Sequence, residues 1–147
     1  MARRTARKPW TGIAISGSDR DVDLRPKPRD VSLELPWPPS VNQIWRTVNG
    51  RPKLSADARR YRLDVAAAVL KAGCQNHFGR NRLRVEIRAC QSDRRRRDLD
   101  NLAKATLDAL TASDLWEDDH QVDELFIRRA ISLGTARIEV LVSVITE

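Results

Sequence analysis

Between residues 83 and 110 the apolar residues change their period, so the chain must pass from strand to helix within a few residues. Leu83, Val85, Ile87 and Ala89 alternate with Arg82, Arg84, Glu86 and Arg88. That pattern puts one face of a strand in a core and the other in water. From residue 99, Leu99, Leu102, Ala103, Thr106 and Leu110 recur every three or four residues. This is the apolar stripe of a helix over about 99–110. Between the two periods lies Asp93-Arg94-Arg95-Arg96-Arg97-Asp98, which has nothing to bury. The spacing predicts a strand, a charged loop and a helix in direct succession.

The flanking sequence extends the pattern. Val31, Leu33 and Leu35 alternate with Ser32 and Glu34, a strand that Pro36, Pro38 and Pro39 bring to an end. Residues 44–48 and 51–54 read as a hairpin about Asn49-Gly50, a pair suited to the positive φ angles of a tight turn. Ser55 is a natural N-cap for a helix over 56–72, with Tyr61, Val65, Val69 and Ala72 on one side and Gly73 as its stop. A strand is expected over 122–130, a turn at Gly134, and a last strand carrying Ile138, Val140, Val142 and Val144. The fold class is therefore α+β: a mixed β-sheet with two main helices packed on it, spanning 31–147. Residues 1–30 hold eight Arg/Lys and four Asp without a sustained apolar period, and are expected to form a disordered or loosely attached basic extension.

The chemistry concentrates at the change of period. Asp98 and Asp100 are two apart. On a continuous helix such residues point about 160° apart; on extended chain they share a side. If they act together, Asp98 must still be extended while Asp100 opens the helix. Position 100 also suits an N-cap. Lys104 follows one turn later, away from the centre of the apolar stripe, where its ammonium can balance carboxylates or hold a phosphate. A second acidic group, Glu117-Asp118-Asp119, follows the helix. Should the chain reverse there, one of its carboxylates joins Asp98 and Asp100, an oxygen-rich set suited to Mg2+ and metal-assisted hydrolysis. Taken one at a time these residues have plainer uses. A lone Asp at a helix start is more often a cap. An acidic triplet is more often a solvated loop. An arginine run is more often a solvated face, and Lys104 alone is more often an ion-pair partner of Asp100 or Asp108.

Charge and composition narrow the partners. The 147 residues carry a formal net charge of +7, which favours an anionic partner, nucleic acid before a membrane surface. No apolar run approaches the ~18 residues that a membrane span needs, and the basic N-terminus lacks the apolar core of a secretory signal. Cys74 and Cys90 form no CxxC, and His77 and His120 are too few for a histidine-rich metal site. Two free thiols suit the cytoplasm. No phosphate-cradling glycine motif is present, so no nucleotide cofactor is expected.

Taken jointly, Arg94-Arg-Arg-Arg-Asp98-Leu-Asp100-Asn-Leu-x-Lys104, then Leu107-Asp-Ala-Leu-Thr111, then Leu115-Trp-Glu-Asp-Asp119-x-Gln-Val122 closely resemble the RusA family of Holliday junction resolvases. Leu35-Pro-Trp-Pro-Pro-Ser-Val-Asn42 is similar to that family's opening strand and loop. The resemblance runs from about Val31 to Ile145 and leaves residues 1–30 outside. It implies a homodimer with two active sites, and Mg2+-dependent hydrolysis, with Mn2+ as a substitute, at symmetric strands of a four-way junction. It implies metal-binding roles for Asp98, Asp100 and Asp119, with Asp118 ranked below Asp119, and a catalytic role for Lys104.

Arg94, Arg95, Arg96 and Arg97 are expected on the DNA backbone beside the scissile phosphate. Asn42 is expected to hold the proline-rich loop or approach DNA. Arg51, Lys53, Arg59 and Arg60 are secondary phosphate candidates. Trp45 and Trp116 are expected to pack rather than to wedge between bases, and His120 to stand by. Such an enzyme would work in the cytoplasm of a bacterial or phage-infected cell, with no membrane and no nucleotide cofactor. Three other readings compete: a non-catalytic basic DNA-binding protein, which would bind without cutting, a flap or branched-DNA nuclease of broader specificity, and a membrane-surface protein driven by the basic N-terminus.

Overall fold

The computed structural model describes residues 28–132 and 134–146. The expected extension over 1–30 therefore lies outside the described residues except for 28–30, where the Arg29 carbonyl lies 2.7 Å from His77 Nε2. In chain order the elements are β1 (Val31–Pro36), a 3-10 turn (Val41–Gln43), β2 (Trp45–Val48), β3 (Arg51–Leu54), α1 (Ala56–Lys71), β4 (Leu83–Gln91), α2 (Leu99–Ala112), a second 3-10 turn (Asp119–Gln121), β5 (Val122–Ile131) and β6 (Arg137–Val144).

Four strands form one mixed sheet in the order β1-β6-β4-β5. β6 runs antiparallel to both β1 and β4, whereas β4 and β5 are parallel. Parallel neighbours need a crossover, and α2 lies within it. The alternation in β1, β4 and β6 buries Leu33, Val140 and Ile87 in one row across the sheet. Tyr61, Val65 and Val69 of α1 and Leu102, Ala103 and Leu110 of α2 join the same core. Both helices thus cover one face. The opposite face is open and carries Leu141, Glu86 and Phe126 in one row, with Glu34, Glu139, Arg88 and Arg128 in the next.

Local signals account for the boundaries. The Ser55 hydroxyl accepts from the Ala58 amide at 3.2 Å, capping α1. Gly73 has φ +65°, the left-handed conformation that ends a helix. Asn49 and Gly50 both have positive φ, as a two-residue hairpin requires.

Three expectations need correction. Ala72 is the C-cap of α1 and lies exposed rather than on the buried side, because the helix has stopped before that position turns inward. Asp98, not Asp100, occupies the N-cap position of α2, since the backbone is still extended at 98. Trp45 is 57% exposed, because the β2–β3 ribbon stands clear of the core that should have covered it. No helix among the described residues is long and apolar enough to cross a membrane.

Candidate active site

The loop from β4 to α2 is built by its own polar side chains. Buried Gln91 donates from Nε2 to the carbonyls of Asp93 and Arg95, each at 3.1 Å. Asp93 Oδ1 accepts from the Arg95 amide and from Arg97 Nη1, both at 3.0 Å. These contacts, led by the Arg95 amide, hold the Asp93 carboxyl below its ordinary range. The Arg97 guanidinium also lies 5.0 Å from the Trp37 ring centroid, within cation–π reach. Of the four consecutive arginines, Arg97 is therefore turned back onto the protein. Arg94, Arg95 and Arg96 stay exposed on the rim.

Asp98 has φ −79° and ψ 126°, extended chain, and its side chain makes no capping hydrogen bond. Helix starts at the next residue, so Asp100 stands in the first turn of α2. Asp98, Asp100 and Lys104 are all exposed, while Leu102, Ala103 and Thr106 between and beyond them face inward. The junction geometry expected from the two-residue spacing is present: one carboxylate on extended chain, the next on helix.

The loop after α2 is anchored from below. Leu115 and Trp116 are fully buried, and Trp116 Nε1 donates to Thr111 Oγ1 at 2.7 Å. Glu117 accepts two bonds from Arg80, at 2.6 and 3.1 Å, which lower its carboxyl pKa. Asp118 caps the second 3-10 turn, accepting from the His120 amide at 3.0 Å, with the His120 ring 3.1 Å away. Those contacts, the amide first, lower the Asp118 pKa as well. Asp119 behaves oppositely. Its pKa is raised by the hydrogen bond it shares with Asp118, then by burial, then by the negative charges of Asp118 and Asp108. Two of the three acids are thus engaged by cationic or amide groups, and Asp119 faces other carboxylates. Negative neighbours of this kind favour a cation beside Asp119.

The second 3-10 turn packs against α2. Asp108 is the α2 carboxylate that bears most strongly on Asp119. It lies eight residues from Asp100, a rise of about 12 Å along a helix. Among the described residues, no three His, Cys, Asp or Glu side chains are grouped closely enough to hold one metal ion. Asp98, Asp100 and Asp119 thus occupy adjoining elements without forming a three-carboxylate cage. The donor set, carboxylate oxygens only, has the chemistry of a Mg2+ site, and such sites commonly combine one or two carboxylates with substrate phosphates. Asn42 is exposed in the first 3-10 turn, which also borders α2.

One supporting residue went unassigned in the sequence. Gln121 is 2% exposed and uses its whole amide. Its Oε1 accepts from the Glu117 and Asp118 amides at 2.9 and 2.8 Å, and its Nε2 donates to the carbonyls of Gly79 and Asn81 at 2.8 and 2.9 Å. The available signal was Asp118-x-x-Gln121, a capping-box spacing. Gln121→Leu would strip this partner from the Asp118 amide and the Asn81 carbonyl, while the Glu117 amide keeps its 3.3 Å bond to the Gly79 carbonyl. It is expected to cost about 2–3 kcal/mol and to slow turnover by loosening the Asp119 loop. Urea unfolding and single-turnover kinetics measure the two effects separately.

Comparison with known proteins places these residues in context. The model of the family described as endodeoxyribonuclease RusA matches residues 36–143, which include Asp98, Asp100, Lys104 and Asp119. The crossover junction endodeoxyribonuclease RusA of Escherichia coli K12 is 39% identical over 113 residues, covering 76% of this chain and 92% of that protein. Its counterpart from Enterobacteria phage 82 is 38% identical over 112 residues, with the same shares covered. That of Enterobacteria phage HK97 is 34% identical over 109 residues, covering 74% of this chain and 90% of the relative.

Proposed function

The chain belongs to the RusA family of endodeoxyribonucleases, and from that premise we propose that it resolves Holliday junctions by paired, symmetric phosphodiester hydrolysis as a Mg2+-dependent homodimer. Its reaction class is that of a crossover junction endodeoxyribonuclease. The observation that supports the mechanistic reading is the exposed set Asp98, Asp100 and Lys104 at the β4–α2 junction, with Asp119 on the 3-10 turn that packs against α2.

Asp98 and Asp100 present carboxylate oxygens from one loop, and Asp119 presents them from the other. When bound there, Mg2+ would neutralise the phosphate and lower the pKa of a coordinated water. The carboxylates must draw together around the ion and the incoming phosphate, since they do not surround one point beforehand. The Lys104 ammonium is one helical turn from Asp100 and stabilises negative charge on the phosphoryl oxygens. Arg94, Arg95 and Arg96 hold the flanking backbone as sequence-independent phosphate contacts, so affinity falls steeply with salt. The setting is the cytoplasm of a bacterial or phage-infected cell.

The open sheet face supports the dimer. Phe126 and Leu141 are exposed there among Glu34, Glu86 and Glu139 and Arg88, Arg128 and Arg137. The balance of charge in that patch lets two copies of a basic chain approach without repulsion, and a two-fold pair matches a substrate with two equivalent cuts. Sedimentation should then give twice the 16.7 kDa chain mass.

Cleavage of a synthetic four-way junction, a flap and a plain duplex of shared sequence tests the function. Two symmetric cuts in the junction and none in the duplex are expected. Equal cutting of flap and junction would favour the broader nuclease, and binding without cutting would favour the non-catalytic reading. Mg2+ at a hundredfold excess over its dissociation constant is expected to stabilise the fold by about 2.7 kcal/mol, raising Tm by roughly 5–10 °C. Asp119→Asn should abolish that shift; an undiminished shift would remove Asp119 from the metal site.

A further inference from the structure

The β2–β3 ribbon is the part of the described structure that the proposed chemistry leaves unused. From Val41 to Leu54 it carries Arg46, Arg51 and Lys53 and no acidic residue. Every β2 and β3 side chain is exposed except Leu54, which is half-buried. The register pairs Trp45 with Leu54, Arg46 with Lys53, Thr47 with Pro52 and Val48 with Arg51. Side chains alternate along a strand, so the pairs divide between two faces. Arg46, Lys53 and Arg51 share one face with Val48. Trp45, Leu54, Thr47 and Pro52 share the other. The ribbon is therefore basic on one side and apolar on the other, with an indole at its root.

The ribbon is fixed beside the candidate catalytic helix. The Ser55 amide donates to the Ile44 carbonyl at 2.8 Å, closing the base of the ribbon. Ile44 and Pro39 line one crevice with Ala105 and Asp108 of α2. Ala105 directly follows Lys104. The arm is thus rooted against the helix that carries Asp100 and Lys104.

Trp45 has 57% of its surface exposed, whereas Trp116, which anchors the Asp119 loop, has 1%. A large exposed ring on one face of a ribbon whose other face carries three cations matches single-stranded or unstacked nucleic acid, which offers phosphate charge and bare base faces together. A second copy of this chain carries a net charge of +7, so the ribbon's basic face is better matched by a phosphate backbone. We propose that the β2–β3 ribbon is a branch-reading arm: Arg46, Arg51 and Lys53 follow the phosphate backbone, and Trp45 stacks on a base left unstacked at the branch point. This inference rests on the junction-resolving function proposed above and adds the element that distinguishes branch from duplex.

The test compares wild type, Trp45→Ala, Trp45→Phe and the triple Arg46→Ala/Arg51→Ala/Lys53→Ala in EDTA, where binding is read without cleavage. The probes are a four-way junction with 2-aminopurine at the branch and a duplex of the same sequence. Trp45→Ala is expected to weaken junction binding about 10-fold, to leave duplex binding within about 2-fold, and to lose the 2-aminopurine quenching seen with wild type. Trp45→Phe should restore both. The triple variant should weaken both probes and reduce the duplex salt slope by up to about 2.7. Unchanged junction affinity and quenching in Trp45→Ala would overturn the proposal. So would dissociation of a wild-type dimer by Trp45→Ala in sedimentation, which would assign the ring to a second copy. A wild type that binds junction and duplex alike overturns the junction function itself, and the arm with it.

Discussion

Asp100→Asn is expected to slow junction cleavage by about 1,000-fold or more while leaving junction binding intact or tighter. The reasoning is electrostatic. Asp100 is exposed in the first turn of α2 and contributes nothing to the core, so the amide is tolerated by the fold. On the proposed mechanism, losing its charge removes one anionic ligand for Mg2+ and relieves repulsion of DNA phosphate. A purely structural role would lower binding and stability together and leave the rate at saturating DNA untouched. Single-turnover cleavage in Mg2+ beside binding in EDTA separates the two. Equal cutting by wild type and Asp100→Asn would remove the aspartate from the reaction.

Trp116→Ala is expected to cost about 3–5 kcal/mol, a drop in Tm of the order of 10 °C. Trp116 is 1% exposed, is among the largest fully buried side chains of the described residues, and donates to Thr111. The loop it anchors begins at the next residue, so truncation should also move Asp119. Cleavage should therefore fall at temperatures where circular dichroism still reports folded protein. Trp116→Phe keeps most of the buried surface and loses the hydrogen bond and the smaller ring of the indole, with an expected cost nearer 1–2 kcal/mol. Thermal melts of the two variants, followed by rate measurements below both transitions, distinguish loop anchoring from bulk stability.

The strands and helices were legible because burial here follows simple periods. Leu83, Val85, Ile87 and Ala89 lie on the buried face of β4, as their alternation requires, and Leu102, Ala103 and Leu110 lie on the buried side of α2. The extended backbone at Asp98 was also legible, since only that geometry brings residues two apart to a common side at a helix start. Contacts between distant segments were not legible. Nothing in the arginine run indicates that Arg97 would turn back to Asp93 and Trp37. The Glu117 pairing to Arg80 and the two Nε2 bonds of Gln121 join loops some forty residues apart, and the first of these takes Glu117 out of the acidic triplet. Trp45 was misread because composition favours burying an indole, whereas the position of the ribbon exposes it. The spacing of the aspartates indicated what they could do, but it did not indicate that Asp119 would be influenced most by Asp108 among the α2 carboxylates.

A crystal of the protein with a four-way junction and Mn2+, measured at the manganese absorption edge, examines the shared ion directly. Anomalous density about 2.1 Å from carboxylate oxygens of both Asp100 and Asp119, beside a DNA phosphate, is the expected result. Density held by Asp119 and Asp108 with Asp98 and Asp100 remote from the ion would contradict it.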